Sequence, residues 1–409
     1  MSTSSCLAST GFDLLPVLFA GFILLVFGAI FLKSAQGRAA ILVCLLVASG
    51  ALVLGSSSSA SAACPPVTST STTTTSTPST PSIAPTPAAL SAQYLANSVT
   101  SDGYVLDYYS TQPSLSNTAQ TVIALASTGD TSSLITSAMT RGANYLASYI
   151  DSYVDDGATP SATNDSASAL AELLLAAHVS NVSSLASQAN SLETRLLATQ
   201  QTSGPEAGLF GYSDATFDGT IRQGISLKAL VLAGVATSNT QLQSALTWLL
   251  AQQCSGGGFS SDLANNACNG LPSDYQGPDT NSTAFALVGI GAMGASSSNA
   301  VADALAYLQG IELPVAGWDW FGGGFDSNTT ASVIAGLRSI GEDPSLATGA
   351  WSRIVSGVST SPVMALAQFE VLTPGANQGG YLYQLSSIGP DIFSTNQSVT
   401  ALSAMILPA

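Results

Sequence analysis

The feature that most constrains the fold of this chain is an internal repeat. An aromatic residue or Leu followed by Leu recurs in helical stretches at steps of 51, 51, 52 and 59 residues. The five copies are Tyr94-Leu95, Tyr145-Leu146, Leu196-Leu197, Trp248-Leu249 and Tyr307-Leu308. A sixth helix is predicted at residues 351–355, where the spacing between repeats is kept but the dipeptide is absent. Repeats of this length indicate stacked units, each of which buries its apolar face against its neighbours.

A glycine-centred turn and a second helix follow each copy. The turns are Asp102-Gly103-Tyr104, Asp155-Asp156-Gly157, Gly211-Tyr212, Gly256-Gly257-Gly258-Phe259, Gly322-Gly323-Gly324-Phe325 and Gly379-Gly380-Tyr381. The second helices are predicted to open at Asn117, Asp165, Gly224, Asn281, Asn328 and Asn396, usually beside a residue that can cap a helix. Each unit therefore consists of a helix, a turn and a capped helix.

The two helices of a unit differ in polarity. The second helices are apolar on nearly every side, as in residues 284–294, whereas the first helices are amphipathic, as in residues 301–309. A helix that is apolar all round must be buried. Six pairs, with the buried helices inside the amphipathic ones, use residues 88–409 and predict an all-α, α/α (α6/α6) toroid. Strand-like alternation is nowhere sustained.

The unit also resembles a known repeat. The helix, Gln-Gln, Gly-Gly-Phe and capped helix of residues 248–293 resemble the prenyltransferase/squalene-oxidase repeat of the terpenoid cyclase and protein prenyltransferase α/α-toroid superfamily. By spacing, the resemblance covers residues 88–409, with its best matches in repeats three to five. It implies turns that join the two rings and brace the repeats. The fold decides little about function, since the superfamily includes cyclases, prenyltransferase subunits, thioester domains and cobalamin carriers.

The best-known chemistries of that superfamily lack their residues here. Asp151, Asp155 and Asp156 have the wrong spacing for the D-x-D-D motif of squalene-type cyclases. His178 is the only histidine, so no zinc set of the prenyltransferase kind can form. The G-C-G-E-Q motif of thioester domains is absent. The sequence therefore predicts no catalytic residue, cofactor or metal, and favours binding or scaffolding over catalysis.

Two groups of residues are candidates for a site. The densest aromatic cluster is predicted to form a ligand platform, or else to brace a turn, and comprises Trp318, Asp319, Trp320, Phe321 and Phe325. The second group consists of carboxylates in the turns of repeats four and five, which are Asp262, Asp274, Asp279, Asp319 and Asp326. A pair of them could cleave a glycoside, or each could cap a helix. A net charge of −16 repels phosphate backbones, so no nucleic-acid partner is expected.

Residues 1–55 predict a transmembrane hairpin. Residues 14–32 and 39–55 are apolar spans, and Lys33 and Arg38 between them place that loop in the cytoplasm. Both termini would then lie outside the cell. An alternative takes Lys33 to Arg38 and the second span as a signal peptide that is cleaved after residues 60–62 (ASA).

Two further motifs in this region bear on anchoring. Residues 7–11 (LASTG), the apolar span and Lys33 with Arg38 resemble a sortase LAxTG sorting signal in an atypical position, because such signals stand at the C-terminus. Cleavage after Thr10 would release only a decapeptide. The tripeptide before Cys64 lacks the aliphatic first residue of a lipobox, which argues against a lipid anchor there.

Residues 56–87 are a Ser/Thr/Pro-rich tract with too few apolar residues to fold, which predicts an extended linker. Cys254 and Cys268 flank a Gly/Asn-rich loop of a chain that looks exported, which predicts a disulfide.

Together these features predict a membrane-tethered cell-surface toroid that is a non-catalytic ligand-binding or structural module. Its expected partners are the membrane and a cell-wall, glycan or lipid ligand. The alternative is an extracytoplasmic toroid enzyme, terpene cyclase-like or polysaccharide-cleaving, that uses turn carboxylates. A central cavity lined by converging carboxylates would favour the enzyme, and a cavity filled by Ala and Leu would exclude it.

Overall fold

The computed structural model describes residues 87–107, 110–155, 165–212, 219–261, 268 and 277–403. The predicted hairpin, the sortase-like motif and most of the linker lie outside these residues. Within them, no helix combines the length and the apolar character needed to cross a membrane.

The described chain is helical and alternates between two layers. The inner helices are α2 (Leu115–Ser127), α5 (Ala167–Ser180), α8 (Thr220–Leu232), α10 (Thr280–Ala292), α12 (Ser327–Ser339) and α14 (Ile392–Leu402). The outer helices are α1 (Pro87–Ser98), α3 (Ser133–Ser148), α7 (Ala189–Ala198), α9 (Thr240–Ala251), α11 (Asn299–Ile311) and α13 (Pro362–Leu366). The short elements are α4 (Ile150–Val154), α6 (Ser183–Ala186), a 3-10 turn at Ala367–Phe369, and the antiparallel pairs β1 (Val105–Leu106) with β2 (Pro113–Ser114) and β3 (Arg353–Val355) with β4 (Val358–Thr360).

The inner helices form a closed ring. Each packs against two others in the order α2, α5, α8, α10, α12, α14, and α14 returns to α2. Each outer helix packs against the inner helix before it, and α1 packs against α14. Leu170, Leu227 and Leu287 are fully buried in the core between the layers. The predicted all-α, α/α toroid of six helical pairs is therefore confirmed, and all five dipeptides lie in outer helices.

Three inner helices begin closer to the N-terminus of the chain than predicted. Asn281, Asn328 and Asn396 are inside their helices, whereas the capping oxygens belong to Asp279, Asp326 and Asp391. The Asp279 carboxylate accepts from the Ser282 N–H at 2.8 Å, and Asp326 accepts from the Thr329 N–H at 2.7 Å. An aspartate here accepts a hydrogen bond from an N–H group that has no partner within the first helical turn. Its negative charge also interacts favourably with the positive end of the helix dipole. These aspartates therefore begin the helices.

A repeated contact explains the glycine turns. Gly257 has a left-handed φ of 90°, and a Cβ there would lie 2.3 Å from the carbonyl oxygen of Asp303 in the next outer helix. Two residues later, the N–H of Phe259 donates to Thr283 Oγ1 at 2.9 Å. The same backbone donation to an inner helix recurs at Val105, Phe210, Trp318 and Tyr381. In these five units the turn is thus hydrogen-bonded to the inner helix, and at Gly257 it also packs closely against the outer helix that follows.

The fifth unit departs from the predicted register. Its counterpart of Phe259 is Trp318, whose N–H donates to Thr330 Oγ1 at 3.1 Å, and the left-handed residue before it is Ala316 (φ 62°). The turn at residues 322–325 is therefore an insertion and not the structural equivalent of residues 256–259. The register of this unit was predicted wrongly because the inserted turn has the same Gly-Gly-Gly-Phe sequence as residues 256–259.

The predicted sixth helix at residues 351–355 was wrong. Arg353–Val355 is a strand that pairs with Val358–Thr360. The outer element of this unit is α13, only five residues long, continued by the 3-10 turn. Ile354 and Val355 are β-branched, which favours a strand, and Ser356 and Gly357 take left-handed φ values that make the hairpin turn.

The predicted disulfide between Cys254 and Cys268 is confirmed, with Cα atoms 5.7 Å apart. It closes a loop with a sequence separation of 14 residues. Closing a loop of this length stabilises the folded state by about 3 kcal/mol in the chain-entropy model.

Candidate ligand-binding cavity

A cavity of about 1010 Å³ opens inside the inner ring, at the end where the inner helices begin. Every inner helix contributes to its wall, and one residue from each in chain order is Gln120, Glu172, Ile225, Phe285, Ser332 and Gln397. A volume of this size is at the upper end of the range for small-molecule sites. Ala and Leu do not fill the ring, so the condition that would exclude an enzyme is not met.

Glu172 accepts hydrogen bonds from three side chains in the cavity wall. Its carboxylate accepts from Ser116 Oγ at 3.2 Å, from Gln120 Nε2 at 3.2 Å and from the Tyr153 hydroxyl. Burial raises the pKa of Glu172, and the bonds from Tyr153, Gln120 and Ser116 partly oppose that shift, as does the charge of Arg222. Burial also raises the pKa of Tyr153 well above its usual value. The group forms a fixed polar cluster on one side of the cavity.

Two further carboxylates, Asp279 and Asp326, lie in the cavity wall and cap helices. Both oxygens of Asp279 are engaged by Ser282, through its N–H at 2.8 Å and its hydroxyl at 2.5 Å. Burial raises the pKa of Asp279 to about 6 and that of Asp326 to about 6. They remain mostly ionised at neutral pH, and a helix N-terminus favours that ionised form.

The structure divides the predicted aromatic platform. Trp318 is fully buried, lies 6.0 Å from Trp351 between ring centroids and donates its indole N–H to the Leu308 carbonyl at 2.9 Å. Phe325 packs on Phe369 at 4.6 Å between centroids. Trp318 is a core residue and Phe325 is a partly buried residue that packs against the core, and neither lines the cavity.

The other three platform residues are at least partly exposed, and one of them lines the cavity. Trp320 lines it, is 39% exposed and hydrogen-bonds to the Asp279 carboxylate. Phe321 stacks on Trp320 with centroids 5.1 Å apart. Asp319 accepts from the Gly324 N–H at 3.1 Å, which holds the inserted turn together. Of the five predicted residues, only Trp320 therefore lines the cavity.

Aromatic residues line the cavity together with amide residues whose oxygens lack a hydrogen-bond partner. Tyr383 and Phe393, 40% and 39% exposed, add two aromatic surfaces to Trp320. Among the described residues, the side-chain oxygens of Gln120, Asn281 and Gln397 are buried without a hydrogen-bond partner. All three residues line the cavity. A buried acceptor without a donor is costly, so the wall is suited to a ligand rich in hydrogen-bond donors.

A second space, the inner pocket, adjoins this cavity and extends towards the C-terminal ends of the inner helices, where Ser339 and Ser403 line it. It has a volume of about 200 Å³ and shares the six wall residues named above, one from each inner helix. Its wall is mostly apolar, with Ile123, Leu175 and Val288 among its members. Two cationic residues, Lys228 and Arg338, also line it.

The other sequence candidates lie away from the cavity or outside the described residues. Asp151 lies in the short helix α4 and not in a turn, and its exposed carboxylate accepts from Arg195 at 2.8 Å. His178 is in the last turn of α5. Asp262 and Asp274 lie outside the described residues. Within the described ranges, no group of three metal-ligating side chains occurs.

Sequence reasoning missed Glu172 and Lys228. Each is the only charged side chain in the middle of a buried inner helix, since His178 and Arg222 lie near the helix ends. A single charge within a buried helix is costly unless it serves a purpose, and that signal was readable in the sequence. Tyr153 and Gln397 carried no such signal, because only the ring brings them to the cavity.

No protein-family model and no curated protein matches the sequence. Among solved structures, a protein from Actinoplanes matches with 12% identity and a TM-score of 0.50 over 77% of this chain and 97% of that one. An unsaturated glucuronyl hydrolase variant (UGL) with dGlcA-Glc-Rha-Glc matches with 13% identity and a TM-score of 0.50, over 77% of this chain and 95% of that one. Candida albicans protein geranylgeranyltransferase-I complexed with GGPP matches with 12% identity and a TM-score of 0.46, over 70% and 83%. The likenesses at a TM-score of 0.50 show the fold alone, which is that of an α/α toroid.

Proposed function

We propose that this protein is a membrane-tethered cell-surface module whose toroid binds a neutral oligosaccharide in the central cavity without cleaving it. The observation that carries this proposal is the lining of the cavity. Gln120, Asn281 and Gln397, each with a buried amide oxygen that lacks a hydrogen-bond partner, line a single space of about 1010 Å³ together with Trp320 and Tyr383. Sugars offer hydroxyl donors around an apolar ring face, so they complement both kinds of surface.

The negative charge of the chain favours a neutral sugar over an anionic one. The sequence carries a net charge of −16, which raises the free energy of approach of an anionic glycan. The cavity adds the carboxylates of Glu172, Asp279 and Asp326. A neutral oligosaccharide avoids this repulsion and can still donate to carboxylates and amide oxygens.

The state of the carboxylates favours binding over catalysis. A general acid or base must exchange its proton with substrate. Asp279 uses both oxygens on Ser282, and Glu172 uses both on three donors of its own cluster. These bonds hold the side chains in structural roles. The glucuronyl hydrolase with its bound oligosaccharide supports the idea that a toroid of this fold accommodates a glycan.

The binding proposal predicts a fluorescence response. Titrating the full chain in detergent with neutral oligosaccharides, such as chitotetraose and cellotetraose, should give saturable quenching or enhancement of tryptophan emission. Trp320 is the cavity tryptophan, and Trp318 and Trp351 are buried. Trp320→Ala should weaken binding about tenfold, equivalent to about 1.4 kcal/mol, because it removes a stacking surface. Calorimetry measures the same change without relying on tryptophan.

Trp320→Phe is the matched variant, since it keeps a ring and removes the indole N–H that Asp279 accepts. It should bind better than Trp320→Ala. If neutral oligosaccharides produce no saturable signal while an isoprenyl alcohol does, the proposal is wrong.

A second candidate, a glycan-cleaving enzyme, is favoured by one observation. Asp279 and Asp326 share the cavity wall and each has a pKa raised to about 6 by burial, which suits a proton donor. Asn caps helices as well as Asp does, so Asp279→Asn with Asp326→Asn preserves the helix starts. Under our proposal a bound tetrasaccharide stays intact with either protein. Products that appear with the parent chain and vanish with the double variant would establish the enzyme instead.

The location is proposed from the sequence. Residues 14–32 and 39–55 would form a hairpin in the membrane, and the linker would carry the toroid outside the cell. Protease treatment of intact cells should therefore release a fragment containing residues 88–409. The disulfide between Cys254 and Cys268 supports an oxidising compartment. A toroid that is cut only after cell lysis would contradict this location.

A further inference from the structure

The inner face of the ring is built in three layers of six residues. Each inner helix contributes one residue to each layer, at positions i, i+4 and i+7, which lie on one face of a helix and span about 10 Å along it. The upper layer, where the helices begin, comprises Ser116, Ser168, Ile221, Asn281, Asn328 and Phe393. The middle layer comprises Gln120, Glu172, Ile225, Phe285, Ser332 and Gln397. The lower layer comprises Ile123, Leu175, Lys228, Val288, Ala335 and Thr400.

The polarity of the wall changes along the axis of the ring. Four of the six side chains are polar in the upper layer and again in the middle layer, whereas four of six are apolar in the lower layer. Among the described residues, the cavity oxygens that lack a hydrogen-bond partner are those of Gln120, Asn281 and Gln397, all in the upper two layers. A ligand that matches all three layers is therefore polar at one end and apolar at the other.

The middle layer joins the two spaces. Its six residues border both the cavity of about 1010 Å³ and the inner pocket of about 200 Å³. An apolar cavity of roughly 150 Å³ takes up benzene, which has six carbons, so by proportion the inner pocket holds a chain of about eight carbons. The cavity above it is large enough for a sugar.

The charges of the wall favour an uncharged polar end. An anionic head group in the cavity would meet the carboxylates of Glu172, Asp279 and Asp326. Arg338 lines the inner pocket, but its guanidinium donates to the carbonyls of Ala401 and Ser403 at the end of α14. A neutral sugar avoids the repulsion in the cavity and supplies hydroxyl donors to its amide oxygens.

We propose that the ligand of the toroid is a neutral alkyl glycoside, with its sugar in the cavity and an unbranched alkyl chain of about eight carbons in the inner pocket. The inference deepens the proposed function and rests on it, because the cavity must accept a sugar. The sugar hydroxyls donate to the amide oxygens of the upper and middle layers. The alkyl chain leaves water for the lower layer, and each buried methylene raises the affinity about fourfold.

The test is a chain-length series. The full chain in lipid nanodiscs, without detergent that would compete for the pocket, is titrated by calorimetry with methyl, butyl, hexyl and octyl β-glucoside, and empty nanodiscs give the background. The affinity should rise about fourfold for each added methylene until the pocket is full, and decyl β-glucoside should bind no more tightly than the octyl compound. Equal affinities across the series would overturn the inference.

Two ligands without a sugar test the polar end. Hexanol and hexanoate should each bind at least about tenfold more weakly than hexyl β-glucoside, because they lack the ring of hydroxyl donors. Hexanoate also tests whether Lys228, the charged residue of the lower layer, attracts an anion. If either compound binds as tightly as hexyl β-glucoside, the ligand is a hydrocarbon or a fatty acid and the inference is wrong.

Two variants assign the two halves of the ligand. Ala335→Phe adds a ring to the lower layer and should abolish the gain per methylene while cellotetraose binding is kept. Gln397→Leu removes an amide of the middle layer and should weaken cellotetraose binding about tenfold while the gain per methylene is kept. Val288→Phe repeats the first test from another helix. A folded Ala335→Phe or Val288→Phe protein that retains the full gain per methylene would overturn the pocket assignment.

Cellotetraose keeps this inference separate from the proposed function. If cellotetraose binds and the chain-length series is flat, the inference about the alkyl chain fails and the proposed function stands. If neither cellotetraose nor any glucoside binds, the proposed function fails and the inference fails with it.

Discussion

Trp318→Ala is expected to lower the free energy of unfolding by about 3–5 kcal/mol. The side chain is fully buried, packs against Trp351 and donates its indole N–H to Leu308. Truncation leaves a cavity and an unpaired carbonyl where the fifth unit is fixed to its inner helix. Urea denaturation followed by circular dichroism measures the loss, with a shift in the midpoint and an unchanged slope.

Trp320→Ala is the matched control, because it removes the same side chain two positions away. Trp320 is 39% exposed and borders the cavity, so its loss should cost about 1 kcal/mol or less of stability. The two variants therefore distinguish a residue that stabilises the fold, Trp318, from a residue that is available to bind a ligand, Trp320. Equal destabilisation by both would show that Trp320 is also a core residue, and the site assignment would fail.

Gly224→Ala should destabilise the toroid by about 3 kcal/mol although it adds only one methyl group. Helices α8 and α10 approach each other at this point. A Cβ on Gly224 would lie 2.0 Å from the carbonyl oxygen of Phe285, which is backbone and cannot rotate away. Gly289 faces the same contact, where a Cβ would lie 2.9 Å from the Gly224 Cα. The two helices must therefore separate to admit the methyl group.

Gly310→Ala supplies the control for helix propensity. Gly310 is also helical, but a Cβ there meets nothing within 4 Å. Alanine at that position should stabilise the chain by roughly 0.5–1 kcal/mol. Thermal unfolding of both variants measures the contrast. If Gly224→Ala is as stable as the parent chain, the close approach of α8 and α10 is wrong.

Much of the architecture was predictable from the sequence because it depends on local patterns. The dipeptides at Tyr94, Tyr145 and Trp248 set the repeat length, and all lie in outer helices as expected. Apolar runs without a polar face predicted the inner helices. The sixth outer element could not be predicted in this way, since residues 351–355 keep the repeat spacing but form part of a hairpin.

The candidate site was predictable only in part. The aromatic cluster was visible as a group, yet Trp318 and Trp320 have opposite roles although one residue separates them. Asp279 and Asp326 were named among turn carboxylates, but their burial and capping bonds required coordinates. Glu172 is the only acidic residue in α5, which is a signal that the sequence does contain.

The sequence by itself determined that the chain repeats a unit of two helices, because periodic apolar residues and glycine turns act within single units of about 50 residues. Only the tertiary structure decided what the ring encloses. Gln120 and Gln397 are 277 positions apart, and they share a cavity because α14 closes against α2. No local pattern encodes that contact, since it arises from packing between the two ends of the repeat array.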